Sequence, residues 1–219
     1  MSKHIKKAAK KKFVSIGILP VVFITCLGIL LLVADMVFEQ KNLTFDENVF
    51  KAIQPYYKDG RIHFFEVITF LGSTNFLLAA NTILVIAFAF SKKYRNYSWK
   101  IAIVAITGVS CMFGLKELLK RERPLNPLTG DAYGYSFPSG HSFSSLLFFG
   151  ILAYIVFKMV KNIFWRWLII ILMLLLVLLI GFSRIYLHVH YASDVIAGFM
   201  LAAIWLIIAK WIFVDRVKY

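Results

Sequence analysis

Phe13 to Ala34 is a run of 22 residues without a charge. A helix rises ~1.5 Å per residue, so this run is long enough to cross the roughly 30 Å hydrocarbon layer of a bilayer. Five further apolar stretches follow, each bounded by basic or loop-forming residues. Few folds are open to such a chain. With no water in the hydrocarbon to satisfy backbone groups, each crossing segment must satisfy its own, as a helix does. The expectation is an all-α bundle of six transmembrane helices, over about 13–38, 64–90, 99–119, 141–158, 165–183 and 190–214.

Composition supports the same conclusion. The chain is 60% hydrophobic and 16% charged, against about 25% charged for soluble domains. It has too little polar surface to cover itself in water, and it reads as one domain. The formal net charge of +14 raises nucleic acid as a partner. However, the charges punctuate the apolar runs and form no continuous patch, so no nucleic-acid partner is expected. Cys26 and Cys111 both lie inside apolar runs and imply no disulfide framework. There is no internal repeat.

Residues 1–12 hold six lysines and read as a basic cytoplasmic N-terminus, followed by a membrane domain over 13–214 and a cytoplasmic tail at 215–219. A basic stretch before an apolar one also resembles a signal peptide. Here the run is too long, and no small-x-small cleavage site follows it. With the N-terminus inside, the inner segments carry sixteen basic residues and the outer ones nine. The positive-inside rule then puts both termini in the cytoplasm, and the loops after the third and fifth spans share the outer face.

Two connections carry local signals. Thr44-Phe45-Asp46-Glu47 fits a capping box, opening a short interfacial helix with Val49, Phe50 and Ile53 on one face and Pro55 at its end. Gly72-Ser73-Thr74-Asn75 interrupts the second span near its outer end. Small residues there suit helix packing or the lining of a substrate entrance.

Three charged stretches carry chemistry. Lys116 and Arg123 are seven apart, which on a continuous helix is one face, with a turn expected before Pro124. Pro138-Ser139-Gly140-His141 immediately precedes the fourth span, where a helix N-terminus offers free N–H groups and glycine lets an anion approach the backbone. Arg184 adds a planar fork suited to phosphate oxygens. His190 and Asp194 are four apart, so the carboxylate reaches the imidazole, fixing its tautomer and raising its basicity. Cations, a glycine turn and two histidines make an anion site that moves protons, which is what phosphoryl transfer requires. The expected roles are His190 as nucleophile through a phosphohistidine, activated by Asp194, and His141 as acid for the leaving oxygen and then base for water. Lys116, Arg123 and Arg184, with the Ser139 hydroxyl and the Gly140 amide, are expected to hold the phosphate.

Lys116-x6-Arg123-Pro124, Pro138-Ser139-Gly140-His141 and Ser183-Arg184-x5-His190-x3-Asp194 together resemble the three signature motifs of the type 2 phosphatidic acid phosphatase (PAP2) superfamily, in order and with every position matched. The resemblance implies a PAP2/haloperoxidase-like helical core. It implies a metal-independent phosphatase without cofactor, acting on a phosphomonoester or pyrophosphate of a lipid in the bilayer, with no obligate protein partner. The small chain is similar to bacterial phosphatidylglycerophosphate or undecaprenyl-pyrophosphate phosphatases.

Three other functions share parts of this pattern. A metallohydrolase could use His141, His190 and Asp194, but three cations would repel a divalent ion and no H-E-x-x-H motif exists. A serine hydrolase could use Ser139, but there is no G-x-S-x-G elbow. A lipid-phosphate binding or transport protein could use the same anion site, with no use for an activated His–Asp pair. The remaining polar residues read as ordinary surface or support. His4, His63 and His188 are expected to be solvated or hydrogen-bonded, and Lys120 and Arg121 to face solvent or lipid headgroups. Ser183 would terminate the helix or support Arg184, and Trp165, Trp167, Trp205 and Trp211 would serve as interfacial belt or packing.

Overall fold

The computed structural model of the chain describes residues 3–92, 94–130 and 133–213, with side chains from residue 17 to 212. The tail at 215–219, residue 214 of the sixth span and the side chains of His4 and the N-terminal lysines lie outside the described residues.

Among the described residues, eight α-helices account for the architecture: α1 (Lys3–Ala34), α2 (Thr44–Ile53), α3 (Asp59–Phe70), α4 (Thr74–Ala89), α5 (Arg95–Leu119), α6 (Gly140–Met159), α7 (Ile163–Tyr186) and α8 (Ala192–Phe213). There is no strand among the described residues. A π-helical turn, Asp35–Glu39, extends α1. Among the described residues, six segments are long and apolar enough to cross a bilayer, with mean hydropathy from 1.7 to 2.9. Their outward residues are large and apolar, as on α1 (Ile24, Leu31, Leu32) and α7 (Leu172, Leu175, Leu178). That surface suits lipid rather than water.

The second span is two helices. α3 ends at Phe70, and Ser73 caps α4 by accepting the Phe76 amide at 3.3 Å. The break lies near the middle of Asp59–Ala89, not toward its outer end. Gly72 is required at the break, because a β-carbon there would stand 2.5 Å from Ile180 and 3.3 Å from the His141 ring. The capping box expected at Thr44 does not form. Leu43 holds the cap position without a side-chain bond, and the Thr44 amide donates to Asn42 at 3.0 Å. The face of α2 does behave as expected: Val49, Phe50 and Ile53 pack on Ile185, Ala192 and Val195.

α6 is the central helix, packed between α7 and α8. α1 lies against α8, α4 against α5 and α3 against α7. Val104, Met112, Phe143, Leu147, Leu201 and Ala202 form the core where α5, α6 and α8 meet. Hydrogen bonds gather the polar connections at one end. The Leu128 amide donates to the Leu187 carbonyl at 2.9 Å, Ser136 to Arg121 at 2.8 Å, and Ser139 to Asp194 at 3.0 Å.

Candidate active site

Each motif is positioned by the end of a helix. α5 stops at Leu119, because Lys120 adopts a left-handed conformation (φ 47°). Lys116 therefore sits in the last turn of α5, while Arg123 comes from the following loop. The shared helical face expected for the two does not exist. They converge by another route, since the loop folds back over the cavity. Lys116 Nζ donates to the carbonyls of Tyr135 (2.6 Å) and Ser136 (3.3 Å). Arg123 donates to Gly134 (2.9 Å), Tyr133 (2.7 Å) and Val189 (2.8 Å).

Gly140 and His141 open α6. The Ser139 side chain caps that helix, accepting the Ser142 amide at 3.4 Å and the Ser142 hydroxyl at 3.0 Å. Ser139 is fully buried and lies outside the cavity lining, so its hydroxyl organises the helix start that presents Gly140 and His141. Arg184, in the last turn of α7 and 2% exposed, donates to the Thr69 hydroxyl at 2.7 Å. The Ser183 hydroxyl bonds back to the Ile180 carbonyl at 2.6 Å.

His190 precedes α8 and Asp194 lies in its first turn. The Nδ1 of His190 faces Asp194 Oδ2 at 3.4 Å and the Ser136 hydroxyl at 3.3 Å. The Ser136 hydroxyl itself donates to that same carboxylate oxygen, and the Tyr191 amide donates there at 2.9 Å. With acceptors on the Nδ1 side, the favoured neutral tautomer carries its proton on Nδ1 and its lone pair on Nε2. Nε2 lies 3.2 Å from Arg123. Burial is the main force on the His190 imidazole, followed by the charges of Arg123, Arg184 and Lys116. Together they hold it well below the ordinary histidine range, so the ring is neutral at pH 7.

Lys116, Arg123, Gly140, His141, Arg184 and His190 all line one cavity of about 510 Å³. Asp194 stands behind His190 and outside the lining. The cavity continues between α4, α5 and α6 along an apolar wall that includes Leu77, Ile106, Phe113 and Phe148. Gly72 and Thr74, from the break in the second span, also line it, so this small-residue patch both packs helices and borders the cavity. Among the described residues, no three His, Cys, Asp or Glu side chains come together in a metal-binding group.

Sequence reasoning missed the layer behind the histidine. Arg121 is not a solvated residue: it is 8% exposed and donates to Asp194 (2.5 Å), Ser193 (2.8 Å) and Asp46 (2.9 Å). Lys120 is exposed, as expected. Asp46 is fully buried, and accepts from the Ser193 amide at 2.9 Å and its hydroxyl at 2.6 Å. Ser136 and Thr69 were also missed. His188 packs on Phe50, with ring centres 4.1 Å apart, and faces the Asn126 carbonyl. His63 is exposed beside Glu66.

A membrane-spanning bundle that holds two histidines and three cations at the head of an apolar-walled cavity defines an enzyme of phosphoryl chemistry. A family model, the PAP2 superfamily, matches residues 96–218. Phosphatidylglycerophosphatase B of Bacillus subtilis (strain 168) is 30% identical over 156 residues, covering 69% of this chain and 74% of that protein. The crystal structure of a transmembrane PAP2-type phosphatidylglycerolphosphate phosphatase from Bacillus subtilis covers 90% of this chain and 98% of that one, with a TM-score of 0.82 at 25% identity. Aquifex aeolicus LpxE shares the fold, with a TM-score of 0.57 at 24% identity, over 75% of this chain and 93% of that one. The chain belongs to the PAP2 superfamily and is an integral-membrane phosphatase.

Proposed function

We propose that this protein hydrolyses a phosphomonoester or pyrophosphate of a membrane lipid at the outer face of the cell membrane, through a phosphohistidine at His190. The observation that carries this reading is the composite cavity. Its head gathers Lys116, Arg123, Arg184, His141 and His190, while its wall is apolar and runs between helices that face lipid. A phosphate fits the head and an acyl or prenyl tail fits the wall.

The roles follow from position. Lys116, Arg123 and Arg184 neutralise the phosphate oxygens, which is the largest single contribution open to such a site. Gly140 lets the ligand approach the start of α6, where free amides face an anion. The Nε2 lone pair of His190 attacks phosphorus while its Nδ1 proton remains toward Ser136 and Asp194. His141, from the α6 side, protonates the leaving oxygen. The same residue then takes a proton from the water that cleaves the phosphohistidine, releasing inorganic phosphate. Asp194 offsets the positive charge that develops on the ring.

The excess of basic residues on the segments opposite this end supports a cytoplasmic location for both termini and an outward-facing site. The substrate classes that fit are phosphatidylglycerophosphate, phosphatidic acid and undecaprenyl pyrophosphate. The first is the substrate in the printed name of the Bacillus subtilis relative. The test is phosphate release from these three lipids by purified protein in EDTA. Turnover of at least one under chelation is expected. Turnover lost to EDTA and restored by a divalent ion would overturn the metal-free route. Separately, Asn126→Cys should react with an impermeant thiol reagent on intact cells; reaction only after lysis would invert the orientation.

A further inference from the structure

One buried polar cluster takes no part in lining the cavity. Asp46 and Ser193 are fully buried and Arg121 is nearly so, yet none of the three borders the cavity. Burying the carboxylates of Asp46 and Asp194 on the one Arg121 guanidinium is expensive, and buried ion pairs often stabilise no better than apolar residues of similar volume. Stability alone is a weak explanation for such a cluster. Its geometry leads to Asp194.

We propose that Asp46 and Arg121 are positioning residues for the hydrolysis: through them, helix α2 sets the orientation and the charge of the Asp194 carboxylate behind His190. This rests on His190 being the nucleophile.

The orientation argument is geometric. Arg121 takes Oδ1 of Asp194 at 2.5 Å. That leaves Oδ2 for the Ser136 hydroxyl, the Tyr191 amide and the His190 ring. A carboxylate pinned at one oxygen cannot turn the other away. Arg121 is fixed in turn by Asp46 and Ser193, and its guanidinium carbon stands 4.1 Å from the centre of the Tyr191 ring. Asp46 is locked by both the amide and the hydroxyl of Ser193. The ring of contacts thus joins α2, the loop after α5 and the start of α8.

The charge argument is one of balance. Arg121 alone would neutralise Asp194. Shared with Asp46, one positive charge serves two carboxylates, and a net negative charge remains beside the His190 ring. That charge supports the imidazole as it becomes cationic. The cavity lining around His190 carries Lys116 and Glu117 of α5, Arg123 of the loop, His141 of α6 and Arg184 of α7. The cations among these oppose the developing charge, so the Asp194 side decides how readily Nε2 attacks.

The test compares Asp46→Asn, Arg121→Gln and the double variant with wild type, in purified full-length protein. Short-chain phosphatidic acid is the probe, and kcat, KM and the acid limb of kcat against pH are measured. Each single variant should lower kcat about 10- to 100-fold with KM within about twofold, as for other partners that orient a functional histidine. Asp46→Asn removes a negative charge and should move the acid limb to lower pH. Arg121→Gln removes a positive charge and should move it to higher pH, and the double variant should return it toward wild type. Opposite shifts are not expected of residues that merely hold the fold. If Arg121→Gln does not fold, Asp46→Asn and the double variant decide. An unchanged kcat in Asp46→Asn, or shifts in the same direction, overturns the proposal. His190→Ala on the same probe separates the two readings: full turnover there overturns the nucleophile itself, whatever the clamp variants do.

Discussion

Gly198→Ala probes whether the two halves of the site depend on one helix crossing. α8 meets the start of α6 at Gly198, where a β-carbon would stand 2.6 Å from the Ser139 carbonyl oxygen and 3.1 Å from the Ser142 β-carbon. Ordinary contact begins at 3.4 Å, so the helices must part by about 0.8 Å. Neither obstacle is the tip of a flexible side chain. Gly198 lies one turn beyond Asp194, and the Ser139 amide donates to the Asp194 carbonyl at 3.0 Å. Parting the helices therefore separates Gly140 and His141 from His190 and its carboxylate. Overpacking of this kind costs about 1–3 kcal/mol, and a displacement near ~1 Å can lower a rate about 100-fold. The expected result is a fall of roughly 100-fold in kcat for lipid phosphate, with the unfolding midpoint in detergent lowered by about 2–4 °C per kcal/mol lost. Gly114→Ala, whose β-carbon would meet nothing within 4 Å, is the control and should keep its activity. Wild-type kcat in Gly198→Ala would refute the reasoning.

Thr69→Val keeps the shape of the side chain but removes the hydroxyl that accepts from Arg184. A lost buried acceptor is worth about 1–3 kcal/mol, so KM for lipid phosphate and the inhibition constant for inorganic phosphate should both rise about tenfold, with kcat changed less. Ser136→Ala removes the hydroxyl that bridges His190 and Asp194 and should instead lower kcat with little change in KM. His190 also makes folding sensitive to acid. Its folded pKa lies below the unfolded value of about 6.5, so the unfolded chain binds the proton more readily. The stability it contributes is complete above about pH 6.5 and is lost as pH falls toward the folded value. The difference in unfolding midpoint between wild type and His190→Gln should change with acidification, and a difference constant from pH 8 to 5 would contradict this.

The spans and the three motifs were legible because their signals are local. An uncharged run long enough to cross a bilayer has few alternatives, and His190 and Asp194 are only four residues apart, so the chain entering α8 brings them together. Arg121 was not legible for the opposite reason. In Lys120-Arg121-Glu122-Arg123 it looks like one more basic residue in a polar run. Only the left-handed turn at Lys120 swings it inward, and its partner Asp46 lies 75 positions away in sequence. The same turn explains why Lys116 and Arg123 meet without sharing a helical face. The pattern Thr-x-x-Glu around Asp46 fits a capping box, but burial against Ser193 and Arg121 outweighs that local preference. Ser139 and Ser136 show the limit of motif reading. The serine inside the motif caps a helix, and the serine three residues earlier faces the histidine.

The most direct test of the central role of His190 is to trap the phosphorylated enzyme. Purified protein is mixed briefly with phosphatidic acid radiolabelled in its phosphate, in EDTA, then denatured in alkali, digested and mapped. The account predicts an acid-labile, alkali-stable label on the peptide that carries His190, lost together with phosphate release in His190→Ala. Label on another residue, or phosphate release that survives in His190→Ala, would contradict it.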